Sequence, residues 1–142
     1  LLTASGLNFY RTDAAQLRYE VTKSFIERND INVPENMGIK GADGRYYSWL
    51  GIGTSLLAIP FYLAGAILEI PPKITVLILN PFFGAATVIL IFLFVILLGY
   101  SRRISLLVAM SYGLGTFAWP LTKHWFDHTV ETYFVFFSVY LS

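Results

Sequence analysis

Residues 13–28 place apolar side chains at helical spacing among charged ones. The apolar positions lie three or four residues apart, at Ala14, Leu17, Val21 and Phe25. Charged residues occupy the other faces, which is the pattern of an amphipathic helix. Because this segment is too polar to cross a bilayer, we expect the helix to lie along a membrane interface or on the extramembrane side of a helical bundle.

Both ends of this helix carry boundary signals. Thr12 or Asp13 is placed to cap the N-terminus, and Asp13 with Gln16 three residues later resembles a capping box. At the other end, we expect the helix to stop at Asn29-Asp30.

A polar loop and an aromatic cluster follow the helix. Residues 32–44 contain Pro34, three glycines and the turn pair Asp43-Gly44, which predicts an irregular loop. Residues 45–49 read Arg-Tyr-Tyr-Ser-Trp and adjoin an apolar run. Since Tyr and Trp favour the headgroup level of a bilayer, this cluster predicts a contact with the membrane interface.

The first apolar segment covers residues 50–69. Residues 50–68 are 19 uncharged residues. As a helix they would be about 28 Å long, close to the roughly 30 Å of hydrocarbon in a bilayer. Three glycines and Pro60 interrupt the segment, and such residues at depth need neighbouring helices to satisfy the freed backbone. A re-entrant or interfacial helix is therefore an alternative to a span, and we prefer it.

Two further apolar segments flank an arginine pair. Residues 74–101 contain a membrane helix that we expect to start at about Phe82, because Asn80 precedes a proline, and to end at Gly99-Tyr100. Arg102-Arg103 follows, which the positive-inside rule places in the cytoplasm. Residues 104–121 form the return helix. Its small residues allow close helix packing and are Ala109, Ser111, Gly113, Gly115 and Ala118.

These segments predict an all-α, polytopic helical membrane fragment with an extramembrane loop that carries amphipathic interfacial helices. Residues 1–8 would end a preceding membrane helix, residues 9–49 would form the first outer loop, and residues 129–142 would begin a further membrane helix. The chain starts at Leu1 and stops inside an apolar run, so we expect it to be the N-terminal part of a larger membrane domain.

Composition agrees with a membrane protein and excludes other classes. Hydrophobic residues make up 56% of the chain, aromatic residues 17% and charged residues 13%, far from a soluble average. The formal net charge of +1 gives no electrostatic argument for nucleic acid as a partner. Cysteine is absent, which excludes disulfides and thiolate metal sites in this chain.

Membrane topology decides which polar segments could share a site. With Arg102-Arg103 in the cytoplasm and helices on both sides of it spanning, residues 122–131 lie on the outer side. If residues 50–69 are re-entrant, Asp13 lies on that same face as Asp127. If they span, the two aspartates lie on opposite faces.

Several residues could carry chemistry. Asp13 could act as a general base or bind a metal ion, and an N-cap is the simpler alternative. A helix face of His124, Asp127, His128 and Glu131 has spacing that could bind a metal, although it lacks the His-Glu-x-x-His motif. Asp127 is a separate candidate as an active-site carboxylate. Candidates for binding a phosphate are Arg18, Lys40, Arg45 and Lys123, although a solvated surface charge is the simpler interpretation of each.

The order of features resembles the GT-C glycosyltransferases that use polyprenyl-phosphate-linked sugars, in particular the protein O-mannosyltransferase and aminoarabinose-transferase-like group. The matching segments are residues 10–13 (Tyr-Arg-Thr-Asp) opening a helix, residues 43–48 (Asp-Gly-Arg-Tyr-Tyr-Ser), residues 57–62 (Leu-Ala-Ile-Pro-Phe-Tyr), Arg102-Arg103, residues 113–120 and the later Asp127. The resemblance covers most of the chain.

The resemblance implies an inverting sugar transfer. Asp13 would be the catalytic base that deprotonates a hydroxyl of a protein, lipid or glycan acceptor, polyprenyl phosphate would be the leaving group, and Asp127 would be the second acidic residue of the same cavity. Many members have a Lys-Pro-Pro element where this chain has Trp49-Leu50-Gly51, so we expect Arg45, with Lys123, to bind the donor phosphate.

The resemblance also sets the expected location and the open alternatives. The chain would be a multi-pass protein of the cell (inner) membrane with its active site on the outer face. No cofactor is firmly implied, although a divalent metal remains open. The alternative function is a non-enzymatic polytopic protein such as a transporter or an assembly subunit, and a transporter would place ionisable groups at the midplane rather than at helix ends.

Overall fold

The computed structural model describes residues 13–116, 118–122, 125 and 127–142, with the backbone alone at residue 13. These residues are mostly helical, and they divide into two compact units, Leu1–Leu79 and Asn80–Ser142. The helical character of the predicted fold class is confirmed. The predicted end of a membrane helix at residues 1–8 lies outside the described residues.

The elements of the first unit begin with the polar helix and end in short apolar helices. In chain order they are α1 (Asp13–Arg28), β1 (Ile39–Lys40), β2 (Tyr46–Tyr47), α2 (Gly53–Leu57), α3 (Ile59–Ile67), α4 (Pro72–Thr75) and a 3₁₀ turn (Val76–Ile78). From the unit boundary onward, the elements are α5 (Leu79–Leu97), α6 (Arg102–Gly115), α7 (Ala118–Thr122) and α8 (Asp127–Leu141).

Helix α1 ends at Arg28, where the sequence predicts its end. It ends because Asn29 adopts a left-handed backbone with φ of 52°, a conformation that Asn tolerates better than most residues. The Asp30 N–H then reaches back to the Ser24 carbonyl at 3.3 Å. Thr12 and the side chain of Asp13 lie outside the described residues, so the predicted N-cap stays a prediction.

The face that α1 buries is broader than its apolar stripe. Leu17 and Val21 are buried as predicted, and they form a core cluster with Val33 of the following loop. Phe25 is 39% exposed, whereas Arg18 is only 4% exposed. The apolar pattern is therefore wrong about Phe25, because the helix is also covered on its polar side.

Helix α2 covers that polar side through hydroxyl groups. The Thr22 hydroxyl lies 3.0 Å from the carbonyl oxygens of both Arg18 and Ser55. In return, the Ser55 hydroxyl donates to the Arg18 carbonyl at 3.2 Å. Both hydroxyl side chains are buried, and their small size lets the two helix backbones approach closely.

The loop after α1 contains a small antiparallel hairpin. Ile39 pairs with Tyr47 and Lys40 with Tyr46, and Gly44 takes the positive φ of 82° that the turn requires. The expectation of an entirely irregular loop over residues 32–44 is therefore wrong for Ile39 and Lys40, which pair with the aromatic segment that follows. The predicted turn pair Asp43-Gly44 is correct, since Asp-Gly favours tight hairpin turns.

Helices α2 and α3 form one apolar run, Gly53–Ile67. Its 15 residues give a length of about 22 Å, shorter than the roughly 30 Å of bilayer hydrocarbon. The chain then reverses at Glu69, whose φ is 56°, and α4 packs back against α3. A Cβ placed on Gly65 would lie 2.4 Å from the Thr75 hydroxyl oxygen, so this reversal depends on a glycine.

Among the described residues, one helical run, Pro72–Leu97, is long and apolar enough to cross a membrane. The run starts earlier than the predicted Phe82, because α4 and the 3₁₀ turn lead directly into α5. Asn80 is helical although it precedes Pro81. A proline in the first turn of a helix is tolerated, since the N–H it lacks has no intrahelical acceptor there.

Helix α5 ends in a Schellman motif. Gly99 has φ of 87°, its N–H donates to the Ile96 carbonyl at 2.9 Å, and the Tyr100 N–H donates to the Val95 carbonyl at 3.3 Å. This pair of bonds satisfies carbonyls that the helix end would otherwise leave open. The predicted stop at Gly99-Tyr100 agrees with this closure.

The return segment is divided rather than continuous. Helix α6 begins at Arg102 and ends at Gly115, and Thr116 is extended before α7 begins. Residues 104–121 therefore do not form the single helix that the sequence predicts. Their small residues act unequally: Ala109 is 1% exposed in the core, whereas a Cβ on Gly115 would meet nothing within 4 Å.

Helices α5, α6 and α8 meet in an apolar core within the second unit. Ile91, Val95 and Ala109 form its buried part, with Tyr112 and Phe136 packed against it. A second contact is aromatic. It joins Phe83 of α5 to Tyr133 and Phe134 of α8, with ring centroids 5.1 and 5.9 Å apart.

Large apolar side chains are exposed on both units. Ile67 is 80% exposed, Leu107 68% and Leu97 67%. Large exposed apolar patches mark surfaces that contact a membrane or another protein.

The contact of α3 with α4 leads to a prediction. Gly65→Ala should destabilise the chain by about 1–3 kcal/mol, because the new methyl group meets Thr75 and also the backbone at Ile70 and Pro72, each 3.1 Å away. Gly53→Ala is the matched control, since its Cβ would meet nothing within 4 Å. Thermal unfolding of the purified protein in detergent measures both. Equal midpoint temperatures of unfolding for the two variants would contradict the close approach of α3 to α4 at Gly65.

Candidate functional site

The two aspartates predicted to be catalytic each lie at the N-terminal end of the described part of a helix. Asp13 is the first described residue of α1 in the first unit, and its side chain lies outside the described residues. Asp127 opens α8 in the second unit and is partly exposed. Because they belong to separate units, a shared cavity of the two carboxylates stays a prediction.

The first turn of α8, after Asp127, contains a contact between a histidine and a glutamate. His128 Nδ1 lies 3.2 Å from Glu131 Oε2, and both side chains are well exposed. His124, the other imidazole of the metal alternative, lies outside the described residues. Within the part of the chain that the structure describes, no three potential metal ligands come together.

Arg45, the predicted phosphate ligand, is already engaged by two carboxylates. Its guanidinium lies 3.2 Å from Asp30 Oδ2 and 3.9 Å from Asp43 Oδ2, and its side chain is 62% exposed. Exposed pairs of this kind contribute at most about 1 kcal/mol, so an incoming phosphate could displace them. The predicted role of Arg45 stays a prediction.

The other phosphate candidates differ in accessibility. Arg18 is almost completely buried, which suits a structural role. Lys40 is exposed on β1. Lys123 lies outside the described residues, so its predicted contact with the donor phosphate stays a prediction.

Two tyrosines of β2 anchor the hairpin loop to carboxylates. The Tyr47 hydroxyl donates to Asp43 Oδ2 at 2.6 Å, and the Tyr46 hydroxyl donates to Glu35 Oε1 at 2.5 Å. The Tyr47 hydrogen bond, with smaller contributions from the backbone N–H groups and Arg45, lowers the pKa of Asp43. In turn, the bond to Asp43 raises the pKa of Tyr47.

A polar cluster beneath α1 was not predicted from the sequence. The Tyr62 hydroxyl donates to Glu27 Oε1 at 2.7 Å, and the rings of Tyr62 and Tyr19 lie 6.0 Å apart. Lys73 Nζ lies 5.4 Å from the centre of the Tyr19 ring, within cation–π range. The partners are far apart in sequence, so no local pattern signals the cluster. It ties α1 to α3 and α4.

A cavity of about 380 Å³ opens in the second unit near the start of α8. Side chains of α5, α6, α7 and α8 line it, including His128 and Thr129 directly after Asp127. The sequence predicts no cavity here, because its walls come from four helices spread over residues 81–132.

Comparison with models of protein families, with characterised proteins and with solved structures finds no match to this chain.

The hairpin contact yields a prediction about pH. The pKa of Asp43 is lower in the folded loop than in an unfolded chain, so its stabilising bond to Tyr47 is complete above the ordinary pKa of an aspartate and is lost as the pH falls through the lowered value. Tyr47→Phe should move the pKa of Asp43 back towards the ordinary value. Carboxyl-carbon NMR titration measures this shift.

Tyr46→Phe is the control for that titration, since the Tyr46 hydroxyl binds Glu35 instead. It should leave the Asp43 titration unchanged. An equal shift in both variants would show that the hairpin as a whole, rather than the Tyr47 hydroxyl, sets the pKa of Asp43.

Proposed function

We propose that this chain is part of a membrane glycosyltransferase. The enzyme transfers a sugar, with inversion, from a polyprenyl-phosphate-linked donor to a hydroxyl of a protein, lipid or glycan acceptor. The observation that carries the proposal is α1, whose described residues run from Asp13 to Arg28 as a helix with charged and apolar faces, as the resemblance to GT-C glycosyltransferases implies for the helix that bears the catalytic base.

The position of Asp13 suits a general base. The positive end of the helix dipole favours the anionic form of a carboxylate, which is the form that accepts a proton. A base fixed at a helix terminus is also held by the backbone rather than by a flexible loop, which favours the alignment that transfer to the anomeric carbon needs. Asp127 has the same placement at the start of α8.

The polar surface of α1 suits an interfacial location for this base. Lys23 and Glu27 form an i,i+4 pair at 4.0 Å on its exposed side, while its other faces pack on Val33 and on Ser55. The apolar run Gly53–Ile67 beneath it is too short for a perpendicular span, which supports a re-entrant or interfacial segment. The proposal therefore places α1 at the surface of the bilayer, where a lipid-linked sugar headgroup would lie.

The helices from α4 onward also support a membrane location. The run Pro72–Leu97 has the length and composition of a span. Helices α6 and α8 are shorter, at 14 and 15 residues, and we propose that they complete a multi-pass arrangement in the cell membrane with α1 on its outer face.

The donor phosphate would bind to a cation at the interface. We assign this role to Arg45, with Lys123 as the second cation. The exposed guanidinium of Arg45 lies in the aromatic segment that we place at the headgroup level, and a cation there would stabilise the charge that develops on the departing phosphate.

The proposal predicts that a substitution at Asp13 lowers the rate of sugar transfer without changing thermal stability. Asp13→Asn should lower the rate of sugar transfer from a polyprenyl-phosphate donor by about 10²–10⁴-fold, because Asn cannot accept the proton. Asn caps helices as well as Asp does, so the thermal stability of the full-length protein should remain unchanged. Transfer assays and thermal unfolding on the same purified sample measure both quantities.

Glu20→Gln is the control for this experiment. It removes a carboxylate from the same helix, seven residues further along the chain, and should preserve transfer. Full activity of Asp13→Asn would overturn the assignment of the base and would favour the transporter or assembly-subunit alternative. A loss of folding together with unchanged activity per folded molecule would instead make Asp13 a cap.

The topology is testable because this chain has no cysteine. Asn36→Cys and His128→Cys place thiols at exposed positions of the two polar regions. Both should react with a membrane-impermeant maleimide added outside intact cells, whereas Ser101→Cys, beside the arginine pair, should react only after permeabilisation. Labelling of positions 36 and 128 from opposite sides would show that residues 50–69 span the membrane.

A further inference from the structure

We propose that the cavity of the second unit binds a small, neutral, mostly apolar molecule that carries one hydrogen-bonding oxygen. The cavity volume of about 380 Å³ lies within the roughly 300–1,000 Å³ typical of small-molecule sites. This inference does not depend on the proposed sugar transfer, since it concerns a different ligand and a different part of the chain.

The walls of the cavity are mainly apolar. Their largest apolar side chains come from three helices and are Val88, Ile89, Met110, Leu114, Trp119 and Leu121. Gly84 and Gly113 also lie on the wall, where a Cβ would lie 2.4 Å from Thr122 Cγ2 and 2.9 Å from Val88 Cγ2, respectively. A bound molecule would therefore make most of its contacts through carbon.

Most hydroxyl groups on the wall already have acceptors. Thr87 donates to the Phe83 carbonyl at 2.8 Å, as Thr122 does to Trp119 at the same distance. Thr132 donates to the His128 carbonyl at 2.6 Å. Thr129 is the exception among the threonines of the wall, because it is 8% exposed and its hydroxyl oxygen is buried with no hydrogen-bond partner.

The position of Thr129 in α8 explains this exception. A helical threonine usually donates to the carbonyl four residues earlier, but that residue, Trp125, precedes the first residue of α8. Rotation about the Cα–Cβ bond by about 120° brings the hydroxyl to the position that Cγ2 now occupies, 3.8 Å from a Cβ placed on Gly84. The hydroxyl can thus turn to the cavity wall, where a ligand oxygen would satisfy it.

The charges around the cavity favour a neutral ligand. None of the described wall residues is a lysine or arginine, and the imidazole on the wall, His128, already lies 3.2 Å from the Glu131 carboxylate. An anionic headgroup would have no unopposed cation among these residues and would lose its hydration. Burying a neutral hydroxyl or carbonyl group costs much less free energy of hydration.

The experiment measures binding of 1-decanol, decane and decanoate to the full-length protein in detergent, with binding to protein-free micelles subtracted. We expect 1-decanol to bind about fivefold more tightly than decane, which corresponds to about 1 kcal/mol for one hydrogen bond. We expect decanoate to bind more weakly than 1-decanol. Equal affinities for 1-decanol and decane, or tighter binding of decanoate, would overturn the proposal without any variant.

Two near-isosteric variants locate the hydrogen bond. Thr129→Val should remove the preference for 1-decanol over decane, whereas Thr132→Val should keep it, because that hydroxyl is already bound to its own helix. A preference that survives in Thr129→Val would contradict the assignment of this residue.

A third variant locates the cavity itself. Ala85 lies on the wall and is exposed, so a larger side chain can be placed there without disturbing the core. Ala85→Leu should weaken binding of both 1-decanol and decane about tenfold. Undiminished binding of both would show that the probes occupy another surface, such as the lipid-facing side of α5, and would overturn the proposal.

Discussion

Hydroxyl–carbonyl hydrogen bonds between α1 and α2 hold the first unit together. The Thr22 hydroxyl lies against the carbonyls of Arg18 and Ser55, and the Ser55 hydroxyl donates to the Arg18 carbonyl. This contact depends on two small side chains, because bulkier residues would separate α1 from α2. With the helices this close, Tyr19 reaches both Tyr62 and the Lys73 ammonium group. The polar helix α1 is thereby fixed on the apolar helices α2 and α3. Helix α1 also carries the proposed base, Asp13.

The second unit uses glycine for the same purpose. At Gly113 the backbone of α6 comes so near α5 that a methyl group would meet Val88. Gly113 and Val88 both line the cavity, so this close approach of α6 to α5 forms part of its wall.

The sequence predicted those features that depend on interactions between residues close together in the chain. The C-terminal end of α1 and the glycine at the end of α5 follow from side-chain periodicity and from backbone preferences that act within a few residues. The burial of Arg18 and the exposure of Phe25 could not be predicted, because they depend on a partner helix more than 30 residues away. The start of the Pro72–Leu97 run was predicted too late. The residue before a proline usually avoids the helical conformation, but Asn80 lies in the first turn of α5, where this preference is weakest. The cavity and the hydroxyl of Thr129 required the positions of four helices. The side chains of Asp13 and Lys123 remain known from the sequence alone.

The closure at Gly99 links α5 to α6 through a short segment. Only residues 98–101 separate α5 from α6, and two of the four are fixed by the hydrogen bonds of the closure. In the proposed membrane arrangement, Arg102 and Arg103 would then mark the insertion depth of both helices, because neither helix can slide without moving the arginines out of the headgroups. An added residue in this link would release that coupling, and the vertical register of the helical pair would be free to drift.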